Sequence, residues 1–105
     1  MSDERHRAQR YSFNATVELT DVTSGDQVNE RTGDISVFGC HVKTVKPWPV
    51  GTKVRIRIVH GGANFAALGT VAYVQTSGGM GLAFAKIEPN QQIILDKWIA
   101  ELRRH

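Results

Sequence analysis

The chain has 105 residues, of which 41% are hydrophobic and 22% charged, and a formal net charge of +3. This length suits one compact domain of ordinary soluble composition. No apolar run approaches the about 18 residues that a membrane-spanning helix needs. Cys40 is the only cysteine, which excludes an intramolecular disulfide and a thiolate cluster within one chain.

In chain order, the opening MSDERHRAQR is charged throughout and has no hydrophobic periodicity. Residues 1–10 read as a flexible basic arm. They lack the apolar core of a secretory signal, so a cytoplasmic location is expected. Tyr11, Phe13, Ala15, Val17 and Leu19 then alternate with polar residues, the period of a half-buried strand. Ser24-Gly25-Asp26 marks a turn. The polar stretch QVNERTGDIS reads as a strand on an exposed sheet edge, and GCHVKTV as a short strand. In KPWPVGT, two prolines flank Trp48 and interrupt regular structure, which makes this a loop with an apolar plug.

VRIRIVH alternates cleanly, with Val54, Ile56 and Ile58 on one face and Arg55 and Arg57 on the other. Gly61-Gly62 is a tight turn. NFAALGTVAYVQ follows as a strand with Phe65, Ala67, Gly69, Val71 and Tyr73 on one register. Ser77-Gly78-Gly79 closes a hairpin into MGLAFAKI, the last strand. Pro89 opens a helix over about 89–104, because proline is tolerated where the first helical N–H has no partner. Ile94, Trp98 and Leu102 form its apolar stripe, widened by Ile93, Leu95 and Ile99. Six short strands with glycine turns predict a mainly all-β fold, a closed antiparallel barrel or a sandwich, with one C-terminal α-helix.

Two segments carry the candidate chemistry. Arg5, Arg7 and Arg10 cluster in six residues, and arginine offers a planar fork that grips phosphate oxygens in pairs, stacks on bases and reads guanine O6 and N7. In GDISVFGCHV, an aspartate such as Asp34 accepts from guanine N1–H and its amine, Ser36 offers a hydroxyl, and Gly39 permits a sharp turn or close approach. The plainer reading of each is a solvated tail and a capped turn. Cys40 reads as a small buried hydrophobe. His41, His60 and His105 show no metal-ligand spacing, and Arg55 and Arg57 read as a solvated strand face.

Taken together, the segments resemble the PilZ domain family. That family has Arg-x-x-x-Arg before the first barrel strand and (Asp/Asn)-x-Ser-x-x-Gly some way after it. The second motif is complete here as Asp34-Ile35-Ser36-Val37-Phe38-Gly39, and GMGLAF at 79–84 resembles the family's Gly-x-Gly-hydrophobic-x-Phe segment. With Arg10 as the second arginine of the first motif, His6 stands where the first belongs. The resemblance implies a six-stranded antiparallel β-barrel domain over residues 11–105, preceded by the arm. It also implies binding of the second messenger cyclic di-GMP without catalysis and without a metal or other cofactor. Arg5, Arg7, Arg10, Asp34, Ser36 and Gly39 are the expected contacts, and His6 and Tyr73 weaker ones. Ordering of the arm over the barrel would then change the surface that an unidentified downstream protein sees.

Two other functions are weighed beside this. A PilZ-like adaptor that has lost nucleotide binding, of the kind found in motility, pilus or exopolysaccharide systems, is favoured by His6. A basic barrel for RNA or single-stranded DNA ranks last, because such barrels carry surface aromatics beside the basic groove and the aromatics here mostly fall on the core register. Neither membrane insertion nor nucleic-acid binding is expected.

Overall fold

The computed structural model describes residues 8–104. The chain forms β1 (Tyr11–Ser12), β2 (Thr16–Asp21), β3 (Gln27–Ile35), β4 (Gly39–Lys43), β5 (Lys53–His60), β6 (Ala63–Val74), β7 (Met80–Lys86) and α1 (Pro89–Arg103). All pairings are antiparallel, in the order β3-β2-β5-β6-β7-β4, and β4 pairs back onto β3. The ring is therefore a closed six-stranded barrel, and β1 lies outside it against the end of β3. Closure gives each long strand two neighbours and removes exposed edges. QVNERTGDIS is accordingly not an edge strand: β3 pairs with β2 on one side and β4 on the other. Its polar residues reflect an exposed outer face, not an unpaired rim.

The barrel interior takes the inward half of each alternation. Val17, Leu19, Val54, Ile56, Ile58, Phe65, Val71 and Leu82 are all buried, as is Cys40. Each such aliphatic or aromatic side chain contributes about 1.5–3 kcal/mol relative to exposure. Gly61 and Gly62 both have positive φ, 58° and 79°, between the paired His60 and Ala63. That is the two-residue hairpin geometry whose twist matches the strands.

The alternation from Tyr11 to Leu19 is broken into two strands. At the break, the buried Thr32 hydroxyl donates to the Phe13 carbonyl (2.5 Å) and accepts from the Ala15 amide (2.9 Å). A side chain thus replaces ladder bonds on either side of Asn14, which takes Arg31 Nε on its side-chain oxygen at 2.8 Å. Phe13 and Ala15 remain in the core.

Helix α1 packs on β6 and β1. Its buried residues are Leu95, Trp98 and Ile99, and Trp98 meets Phe13 and Phe65 at ring-centroid distances of 5.5 and 6.1 Å. The start of the helix is tied to the barrel by Gln91, whose side-chain oxygen accepts the Ala66 amide at 2.7 Å. Ile93 does not join the apolar face as its hydrophobicity suggests; it is 68% exposed. The Trp48 loop is seated by the Trp48 amide on Met80 Sδ (3.4 Å), with the ring packed against the core. Among the described residues, no helix is long and apolar enough to cross a membrane.

Candidate functional site

Asp34 owes its outward position to a β-bulge. Thr32 and Ile35 are both buried, which strict alternation forbids for residues three apart. The β3–β4 register slips by one residue between Thr32 and Asp34, so Ile35 turns into the core and Asp34 out of it. Bulges re-aim side chains in this way. On the surface, Asp34 Oδ1 receives Arg10 Nε at 3.1 Å and one terminal guanidinium nitrogen at 3.0 Å. Both bonds converge on one carboxylate oxygen, and Asp34 Oδ2 makes no hydrogen bond among the described residues. Arg10 itself is anchored by position, since the next residues, Tyr11 and Ser12, pair with Ile35 and Asp34.

Ser36 is buried, and its hydroxyl accepts the Phe38 amide at 3.1 Å. Its own amide donates to the Gly39 carbonyl at 2.8 Å. The serine therefore closes the tight β3–β4 turn. Gly39 has a packing role: a Cβ there would overlap the Leu82 carbonyl oxygen of β7. The glycine lets β4 and β7 lie close together beneath the site.

A second bulge acts on Tyr73. The β6–β7 register slips between Val71 and Tyr73. Tyr73 thereby leaves the inward register of Phe65 and Val71 and is 39% exposed. Its ring lies over Gly81, where any Cβ would collide with it. His41 pairs with both Asp34 and Gly81, and its ring stacks on Tyr73 at 6.3 Å with 22° between planes. His41 Nδ1 is buried with no hydrogen-bond partner among the described residues. One cross-strand row on the outer wall thus runs Asp34, His41, Gly81, Tyr73, with Arg10 on its acidic end. The sequence reading missed His41. Alternation with the buried Cys40 and Val42 is the signal that places it on Asp34's face.

Of the expected site residues, Arg10 and Asp34 touch directly, and Ser36 and Gly39 shape the turn beside them. Tyr73 reaches the same wall through His41. Arg5, His6 and Arg7 lie outside the described residues. Cys40, under this wall, is held as a thiol: burial, and secondarily the Asp34 charge, push its pKa up to about 12. It is no nucleophile at neutral pH. The described residues contain no group of three or more metal-ligating side chains.

Comparison with known proteins bears on the whole chain. The PilZ domain family profile matches residues 4–101. Comparison with curated proteins gives no significant match. Among solved structures, the PilZ domain of CeSA from a cellulose-synthesizing bacterium superposes with a TM-score of 0.72 at 20% identity, covering 90% of this chain and 98% of that one. The PilZ domain of YcgR from Escherichia coli, solved with c-di-GMP, gives 0.74 at 17% identity, covering 95% and 92%. The Bacillus subtilis inhibitor of motility MotI gives 0.72 at 15% identity, covering 90% of this chain and 49% of that protein. At these identities the structures establish a shared fold, and the family profile establishes membership: the chain belongs to the PilZ domain family, a family of binding and adaptor domains.

Proposed function

We propose that the protein binds cyclic di-GMP on the outer wall formed by β3, β4, β7 and β6, and that the N-terminal arm closes over the ligand. The observation that carries this reading is the Arg10–Asp34 pair. Both guanidinium contacts fall on Asp34 Oδ1, which leaves Oδ2 to accept from guanine N1–H and its exocyclic amine. The remaining Arg10 N–H groups, on a side chain 42% exposed, are available for a phosphate or for guanine O6 and N7. Arg5 and Arg7 add charge and stacking from the arm, with His6 a weaker contact. The Tyr73 ring, held flat over Gly81 and backed by His41, is a surface for a base. Ser36 and Gly39 contribute by holding the turn that carries Asp34. The family, and a relative of the same fold solved with c-di-GMP, support this reading. Ordering the arm upon binding changes the surface offered to a downstream protein, at a cost in affinity.

Isothermal titration with cyclic di-GMP tests the proposal directly. Saturable heat is expected, and its loss in Arg10→Ala. A folded sample that gives no heat at ~100 µM ligand overturns it. His6→Arg restores the family's first arginine and is expected to tighten binding; unchanged or weaker binding means that His6 does not occupy that position. The second reading, an adaptor without nucleotide, is favoured by His6 itself. A null titration together with a partner capture indifferent to ligand selects it.

A further inference from the structure

We infer that the outer face of β5 with the Leu68 end of β6 is a docking groove for an acidic, extended segment of a partner protein. In the ring order, β6 lies three strands from β3 in either direction, and β5 likewise from β4. The outer faces of β5 and of the Leu68 end of β6, with residues of β2, β3 and β7 and the start of α1, bound a groove of about 570 Å³. Across it, Arg55 pairs with Leu68, and Leu68 in turn with Lys86. Arg57 lies two residues along β5 on the same exposed face.

Charge and shape together specify the occupant. Arg55 makes no ion pair or side-chain hydrogen bond among the described residues, and its neighbour Leu68 is an exposed apolar side chain, 42% accessible. The other two cations are held loosely: Arg57 lies 3.9 Å from Glu18, and Lys86 lies 3.8 Å from Glu88, all well exposed. Such pairs cost little to exchange for an incoming carboxylate. Alternate residues of an extended peptide recur at about 6.6 Å, the spacing of Arg55 and Arg57 along β5. A segment with carboxylates at alternate positions carries them all on one face, so they meet Arg55 and Arg57 with their methylene stems over Leu68, while the residues between them point to solvent. A nucleic-acid strand fits less well. The groove lining contains no aromatic ring on which bases stack. The inference stands on this groove alone and does not depend on nucleotide binding.

The test is an amide-shift titration of the nitrogen-15-labelled chain, without nucleotide, using an acetylated peptide with glutamate at alternate positions and alanine or leucine between. Shifts are expected to cluster on Arg55, Arg57, Leu68 and Lys86, and to shrink as salt is raised. Arg55→Glu is expected to weaken binding about tenfold or more. Arg55 is exposed, so fold is retained; Arg55→Gln provides an independent, milder variant with a smaller loss. Absence of clustered shifts at ~1 mM peptide, or equal shifts with the lysine counterpart of the peptide, overturns the inference. So does a thymidine oligonucleotide that shifts the same residues where the glutamate peptide does not. Failure of the cyclic di-GMP titration leaves this result unaffected, because the groove residues Arg55, Arg57, Leu68 and Lys86 are distinct from Arg10, Asp34, His41 and Tyr73.

Discussion

Gly39→Ala puts one methyl group into the seam between β4 and β7. The new Cβ overlaps the Leu82 carbonyl oxygen and lies 3.1 Å from the Leu82 carbonyl carbon and 3.3 Å from Ala83 Cα. All three are backbone atoms, so no side-chain rotation relieves the clash. The strands must separate, which strains the 2.8 Å bond from the Ser36 amide to the Gly39 carbonyl and that from the Phe84 amide to the Phe38 carbonyl. Overpacking of this kind costs ~1–3 kcal/mol, and each weakened hydrogen bond adds about 1 kcal/mol or less. A loss near 3 kcal/mol corresponds to a fall in melting temperature of about 15 °C for a domain of this size. Gly33→Ala on the neighbouring strand is the control. Its Cβ has as its three nearest atoms His41 Cδ2 at 3.3 Å, Lys43 Cε at 3.4 Å and Lys43 Cγ at 3.8 Å, all in side chains. It should stay within ~1 kcal/mol of the parent. Thermal melts followed by circular dichroism compare the two. A Gly39→Ala protein that melts within ~3 °C of the parent, or a Gly33→Ala protein that falls as far, refutes the seam argument. Loss of nucleotide binding in Gly39→Ala would follow from the distorted turn alone, whether or not Gly39 touches the ligand.

Thr32→Val keeps the shape of a buried side chain but strands the Phe13 carbonyl and the Ala15 amide. A loss of ~2–4 kcal/mol is expected from the urea midpoint, and a change below ~1 kcal/mol would show that the hydroxyl is not the bridge. Arg10→Ala removes a pair whose side chains are 42% and 32% exposed, so stability should drop by less than ~1 kcal/mol; a larger drop in the denaturation curve would mean that the pair holds β1 in place. Cys40 has its pKa raised from 9.0 to about 12, so its thiolate fraction at pH 8 is about 1,000-fold below that of a free thiol. Labelling by a disulfide reagent should be blocked in the native state and rapid in denaturant, and rapid native labelling would contradict the burial. Because the folded pKa is the higher one, this group's contribution to stability is fully present below about pH 9 and is lost as pH rises to about 12. A Cys40→Ala protein should lose less stability over that window.

Much of the fold was legible in the sequence because period-two patterning states directly which half of each strand is buried. VRIRIVH is the clearest case, with Val54, Ile56 and Ile58 buried and Arg55 and Arg57 exposed. Glycine pairs placed the hairpins, Pro89 placed the helix start, and the Asp34–Gly39 motif marked the turn. Composition misled where neighbours decide burial. The polar composition of β3 suits an edge strand, yet β3 is paired on both sides, because ring closure is a long-range event that local polarity does not report. Ile93 looked like part of the helix stripe, yet the barrel supports only the sector centred on Trp98.

Amino-acid sequence alone determined the number of strands in the barrel, most of the inward set of side chains, the terminal helix and the family motif. Tertiary structure alone decided what faces the site. Asp34 and Tyr73 both reach the outer wall through one-residue slips in strand pairing, and His41 joins them only because β4 lies between β3 and β7. The physical reason is that an uninterrupted alternation assigns every residue a face, whereas a single bulge reverses all assignments beyond it. Where the bulge falls is set by the partner strands: here Thr32 must reach Phe13 and Ala15 while Ile35 must enter the core, and both are satisfied only if the chain gains one residue at Gly33.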